Sequence, residues 1–282
     1  MDGGNPAKPY MPPNPFGVKQ EYWERIQNMR LMDDAFMRAA LKDNIEAAQL
    51  ILRIILDKPD LKVVRIKTQV EVKNLYGRSI WMDADVMDNM GNLFDVEMER
   101  DKYRASPKRL RYHSAMRDTS SLKEGEDFEK LPTSYIIFVT EEDRWGKGLP
   151  LYHVDRKIEE TGEDFGDCCH FIYVNGAYKG DDPIGLLMAD LRECNPAKMH
   201  YPELADRVNA LKNSEEEVKK MCQAMEITYQ EGQRDSTLRN LKSLMRKMDL
   251  SADEAMDALE IPEEDRPSYT EHMAHKDESK TV

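Results

Sequence analysis

A mixed α/β domain followed by an all-helical extension is the architecture this chain predicts, and three observations carry that reading. Residues 77–100, GRSIWMDADVMDNMGNLFDVEMER, alternate as two short strands around a tight loop. Residues 134–140, SYIIFVT, form a continuous apolar run of the kind found inside a sheet. Residues 202–271 carry no strand signal at all.

The elements follow in order. Residues 1–20, with Pro6, Pro9, Pro12, Pro13 and Pro15, read as an extended or disordered tail. Residues 21–42 read as helical, with Trp23, Ile26, Met29, Met32 and Phe36 at roughly helical spacing. Residues 43–56 form a stronger helix, and Asp43 with Glu46 has the spacing of an N-terminal cap. Residues 63–73 alternate as the first strand, and the hairpin supplies the next two. Ser106 or Pro107 opens a helix to about Met116. After the apolar strand, residues 149–154 and 169–175 add short strands, and residues 183–193 form a helix whose buried and exposed sides are marked by Leu186, Leu187, Asp190 and Leu191. The domain ends near residue 200.

The extension, residues 201–271, carries an apolar stripe of Leu238, Leu241, Leu244, Met245 and Met248. Leu204, Val208, Leu211, Val218 and Met221 suit a helix–helix contact. Ser251 and Glu254 form a capping box, and Pro262 opens another short helix. A helix-turn-helix is disfavoured, because residues 252–260 and 263–265, where a recognition helix would lie, are acidic and would repel DNA. The region is expected to pack against the preceding domain or to pair with a second copy as a homo-oligomer. His272 and His275 lie in residues 272–282, which read as a disordered tail and not as a zinc site.

The hairpin holds the candidate chemistry. Ile80, Met82, Ala84 and Val86 alternate with Trp81, Asp83 and Asp85, and Phe94, Val96 and Met98 alternate with Asp95, Glu97 and Glu99. Asp88, Asn89 and Gly91 suit the turn. Antiparallel pairing brings Asp83 near Glu97 in several registers, and directly opposite in the best. Facing carboxylates repel unless something offsets the charge. A hard divalent cation does so with oxygen ligands. A solvated acidic face is the alternative.

Asp83, a loop with Asp88 and Gly91, then Val96-Glu97-Met98 resembles the core of the PD-(D/E)XK nuclease superfamily. The wording is closest to its recombination-promoting nuclease or putative transposase group, whose pattern is Arg-Leu-Asp, a loop, an apolar residue and Glu-Met-Gln. Arg109-Leu110-Arg111-Tyr112-His113 is similar to that group's Arg-x-Arg-Tyr-Tyr. Residues 123–128, KEGEDF, are similar to its Gly-Glu-Asp-Tyr segment. The resemblance covers about residues 35–200. It implies a restriction-endonuclease-like mixed sheet flanked by helices and a Mg²⁺- (or Mn²⁺-) dependent DNA endonuclease, within transposition or recombination. It implies Asp83, Glu97 and Glu99 as catalytic residues. Asp83, Glu97, the Met98 carbonyl and Glu46 would be metal ligands. Arg104, Lys108, Arg109, Arg111 and Tyr112 would contact nucleic acid. Two positions depart: Trp81 stands where Arg is usual, and Glu99 where Gln is usual, or Lys in the wider superfamily. The first weakens a phosphate or substrate contact. The second removes a group that would orient or deprotonate water. A fold that has lost catalysis and serves as a nucleic-acid-binding or protein-interaction module is therefore the second reading, and a purely structural helical partner the third.

Composition sets outer limits. A formal net charge of −13 argues against binding nucleic acid over the whole surface. Residues 100–117 nevertheless carry seven basic side chains, Arg100, Lys102, Arg104, Lys108, Arg109, Arg111 and Arg117. Beside a carboxylate cluster they would suit a phosphodiesterase, or be a solvated helix face. No apolar run reaches the ~20 residues that span a bilayer. The start is polar and Pro-rich, unlike a signal peptide. Cys168, Cys169, Cys194 and Cys222 form no zinc-type pair. A reduced, cytoplasmic protein is expected.

Overall fold

The computed structural model describes residues 13–74 and 77–278, so most of the Pro-rich tail and the last four residues lie outside it. The chain divides into two compact units, residues 1–218 and 219–282. The first is built on a six-stranded mixed sheet: β1 (Val63–Val72), β2 (Ile80–Asp88), β3 (Leu93–Glu99), β4 (Ser134–Thr140), β5 (Leu151–Val154) and β6 (Cys169–Asn175). Their spatial order is β1-β2-β3-β4-β6-β5. The β1-β2-β3 meander is antiparallel, β4 runs parallel to β3 and to β6, and β5 returns antiparallel on β6. Helices α1 (Gln20–Asn28), α2 (Asp34–Leu41) and α3 (Ile45–Leu56) precede the sheet. Helix α4 (Pro107–Ser121) follows β3, and α5 (Pro183–Arg192) and α6 (Pro202–Asn213) close the unit.

The helix expected over residues 21–42 is two. Asp33 accepts from the Arg30 amide at 2.9 Å, and this turn separates α1 from α2. The apolar spacing runs on through Met29 and Met32, both of which pack inward or nearly so, and so hides the break. The next helix is capped by Asn44, whose side chain accepts from the Ala47 amide at 3.1 Å. Asp43 lies in the left-handed region at φ 54° and is not the cap. Glu46 stays in the first turn, exposed.

Helix α6 buries Leu204, Val208 and Leu211 and packs on α2 and α3. The first unit thus extends past residue 200 to Val218. Its anchor is Lys212, 1 % exposed, whose ammonium donates to the carbonyls of Gln27, Met29 and Cys194 at 2.8, 2.6 and 2.5 Å. Burial lowers its pKa to about 8. Three part-buried carbonyls share this one side chain, itself buried, and an unsatisfied buried acceptor costs about 1–3 kcal/mol. Lys212→Met is expected to destabilise the protein by about 3 kcal/mol in urea unfolding. A loss under about 0.5 kcal/mol would show that water replaces the ammonium.

The second unit holds most of α7 (Glu215–Met248), with α8 (Ala252–Ala258) and α9 (Arg266–Glu278). Leu241, Ala255, Met256 and Ile261 form its core, with Leu244, Met245, Tyr269 and Met273 against them. The capping box at Ser251 and Glu254 is present. The helix expected at Pro262 starts later, at Arg266, and it runs through His272 to Glu278, where the sequence reads as a tail. Among the described residues no helix is long and apolar enough to cross a membrane.

Candidate metal centre

The hairpin register pairs Ala84 with Val96 and Asp85 with Asp95. One step further along the same register brings Asp83 to Glu97. Two hydrogen bonds tie the pair together. The Asp83 amide donates to Glu97 Oε1 at 2.9 Å, and the Met98 amide donates to Asp83 Oδ2 at 3.3 Å. Met98 therefore meets Asp83 through its N–H. The turn residues of the motif have a structural task. Asp88 accepts from the amides of Met90 and Asn92 at 2.9 and 2.8 Å, and Gly91 adopts φ 85°.

The acidic face is buried, not solvated. Asp95 is 0 % exposed, Glu97 1 % and Glu99 7 %. What covers it is α4, whose start is set by Ser106 as N-cap and Pro107 in the first turn. Arg109, His113 and Arg117 recur every four residues and share a face. Arg109 donates to Glu97 at 2.9 Å and to Glu99 at 2.6 Å. His113 Nδ1 lies 2.9 Å from Asp95 Oδ2. Arg117 donates to Asp85, which also meets Arg65 at 3.1 Å. A polar helix face thus meets a polar strand face, and each explains the other's burial.

Strict alternation would place Asp83 and Asp85 on one face. Alternation slips between them, since Arg117 touches both Met82 and Asp85. Gln69, opposite Asp83 in a β1 register that runs on through Thr68 and Val70, has φ 55°. The guanidinium that Asp83 meets is Arg38 of α2 at 3.1 Å, and Arg38 also bonds Asp34. Asp34 is the helical carboxylate whose charge acts on Asp83. Glu46, expected in that place, has no such tie.

The basic segment is mostly committed. Arg100 pairs with Glu141 and Asp33, Lys102 with Glu142, and Arg104 approaches Glu99 at 3.7 Å. Arg109 and Arg117 serve the buried acids. Tyr112 donates its hydroxyl to the Arg78 carbonyl at 2.5 Å and packs beside Met82 and Met116. Lys108 and Arg111 lie exposed on α4. Trp81, where the resembling group has Arg, is 58 % exposed.

The carboxylates hold their protons more tightly than usual, chiefly because they are buried. Burial pushes Asp83 up to about 7, with Glu97 and Asp34 adding to the shift and Arg38 opposing it. Burial likewise pushes Asp95 up to about 7, against the pull of Arg117. Glu97 rises to about 8, through burial first and the Asp95 carboxylate second. Burial lowers His113, and Glu97 opposes that shift. The donor set, carboxylate oxygens with one imidazole, suits a divalent cation. One oxygen, Asp95 Oδ1, is buried with no hydrogen-bond donor. The residues present therefore fit a cation. Asp34, Arg38 and Asp95 were not legible as site residues. The stripe of Arg109, His113 and Arg117 was the available signal for the α4 contribution.

No protein-family model, no curated protein and no solved structure matches this chain.

Proposed function

We propose that this chain is a metal-dependent DNA endonuclease of PD-(D/E)XK type, acting within transposition or recombination as the resemblance implies. One observation carries the reading: the Asp83 amide ties Asp83 to the Glu97 carboxylate at the end of the β2–β3 pairing, and burial, with a neighbouring carboxylate adding to it, raises the proton affinity of both side chains. Asp83 and Glu97 would hold Mg²⁺ or Mn²⁺. Bound there, the cation supplies Lewis-acid chemistry, offsetting charge that develops on a phosphodiester and acidifying water. The protein's own residues do the rest. Arg109 fixes the carboxylates of Glu97 and Glu99. Lys108 and Arg111 hold DNA phosphates by charge, without reading sequence.

A second reading has its own support. Arg38 and Arg109 already occupy the carboxylates, and Glu99 is satisfied by Arg109 and by the Asp101 amide at 3.2 Å. A site closed in this way suits a nuclease fold that has kept binding and lost cleavage. Nicking of supercoiled plasmid with Mg²⁺ or Mn²⁺ separates the two. Wild type is expected to nick, and Asp83→Ala and Glu97→Gln to lose at least about 100-fold in rate. Nicking that persists in both variants overturns the assignment. No nicking in wild type, with DNA still bound, supports the second reading.

A further inference from the structure

We propose that Asp95, Glu97 and His113 form a binding site for a transition-metal dication, taking Mn²⁺ in preference to Mg²⁺. The site shares Glu97 with the proposed nuclease centre, so the inference rests on that reading and names its ion. One donor atom from each of the three residues lies within 4.8 Å of the others, and all three residues are buried.

Asp95 is the reason a cation belongs here. It is 0 % exposed, and its two oxygens are unequally served. Oδ2 lies 2.9 Å from His113 Nδ1, while Oδ1 meets no N–H donor, and the one side-chain partner left to Asp95 is the Glu97 carboxyl, which serves it only while protonated. A buried carboxylate oxygen left unsatisfied is costly, more so than a neutral acceptor. The nearby guanidinium groups are engaged elsewhere: Arg109 bonds Glu97 and Glu99, and Arg117 bonds Asp85. Neither has a hydrogen bond to Asp95. Two acidic side chains of one strand, two residues apart on the same face, therefore converge on an imidazole with one lone-pair acceptor free.

The ligand types select the ion. Mg²⁺ takes oxygen ligands and keeps much of its water shell, whereas imidazole with carboxylate suits first-row transition metals. Glu97 is held in orientation before any ion arrives, by the Asp83 amide at 2.9 Å and by Arg109. Such outer contacts ordinarily tune metal affinity. Of the pair, Arg109 is the partner that reaches solvent, its side chain 32 % exposed against 1 % for Glu97.

The experiment is Mn²⁺ binding followed by pulsed electron paramagnetic resonance on the full chain, with Mg²⁺ titrated in parallel. Wild type is expected to bind Mn²⁺ at least about tenfold tighter than Mg²⁺ and to show nitrogen modulation from one imidazole. His113→Gln should lose the modulation, with the Mn²⁺ to Mg²⁺ ratio falling towards one. Asp95→Asn should weaken Mn²⁺ about tenfold or more while keeping the modulation. Should His113→Gln fail to fold, the wild-type spectrum alone decides. Mn²⁺ bound without nitrogen modulation, and equal to Mg²⁺ in affinity, overturns the site but leaves the nuclease reading standing. Nicking dependent on a cation that never contacts nitrogen does the same. Absence of any bound Mn²⁺ at millimolar concentration overturns both, and shows that a proton alone settles Asp95 against Glu97.

Discussion

Arg109→Ala is expected to cost the metal-free protein about 3 kcal/mol in denaturant unfolding, with the loss greater at pH 8.5 than at pH 6.5. Removing one partner of a buried ion pair leaves the other charge uncompensated, at about 3–5 kcal/mol. Here two carboxylates are stranded, Glu97 at 1 % exposure and Glu99 at 7 %. The guanidinium also lies 5.0 Å over the Phe138 ring, so packing is lost along with charge. The loss stays at the lower end because Glu97, already pushed up to about 8, can take a proton instead. That escape closes above its pKa, which sets the pH contrast. Arg109→Lys should restore only part of the stability, since an ammonium cannot serve both glutamates as a planar fork does. Saturating Mn²⁺ should stabilise Arg109→Ala more than wild type, because the ion no longer competes with the guanidinium.

The same variant separates neutralisation of the acids from a grip on DNA. Lys108→Ala with Arg111→Ala should change stability by less than about 0.5 kcal/mol, both residues being exposed. It should weaken binding to unrelated DNA sequences alike and flatten the salt dependence by about two units. Arg109→Ala should leave that slope nearly unchanged. If Arg109 carries the slope and the exposed pair does not, the guanidinium leaves the glutamates for phosphate, and Arg109 is not the fixed counter-charge of the buried acids.

How much of this was legible depended on which neighbour each residue needed. Period-two patterning identifies β2 and β3, and their register alone brings Asp83 to Glu97. Ser106 and Pro107 mark the start of α4 by local chemistry. Whether the face of Asp95, Glu97 and Glu99 is solvated or buried is a different kind of question. A strand cannot state what lies over it. Only α4, with Arg109, His113 and Arg117 at spacings of four, shows that a complementary polar face exists. The choice between Glu46 and Asp34 was less accessible still. Glu46 reads as a first-turn acid, whereas Asp34 falls inside the helix expected over residues 21–42; only the break before α2 and the packing of α2 beside β2 bring Asp34 to the Arg38 that Asp83 meets. The turn between α1 and α2 was hidden because Met29 and Met32 continue the apolar spacing across it.

Metal-free stability is expected to fall as pH rises from about 5.5 to about 8, and to recover when Mn²⁺ is added. Asp83, Asp95 and Glu97 titrate at about 7, 7 and 8 in the folded chain, against ordinary values of 3.8, 3.8 and 4.5. Between these limits the folded state binds more protons than the unfolded one. Raising the pH through that window therefore favours unfolding, by at most about 1.4 kcal/mol per pH unit for each fully shifted group. The three titrate as a coupled set, so their sum is smaller than three independent groups would give. His113 works the other way. Its lowered pKa means that only the unfolded chain binds its proton just below 6.5, so it adds stability as pH rises there. One such group does not outweigh three. Lys212, lowered to about 8 from 10.5, regains stability only above that value and so places the minimum near pH 8. Thermal melts in EDTA at half-unit steps should trace this decline, and Glu97→Gln should flatten it. With saturating Mn²⁺ the carboxylates release their protons to solvent as the ion binds. The metal-induced gain should then grow with pH and be largest where the metal-free protein is weakest. A melting temperature that is flat or rising from pH 5.5 to 8 in EDTA would mean that Arg38, Arg109 and Arg117 already neutralise the centre, leaving no charge for a cation to balance.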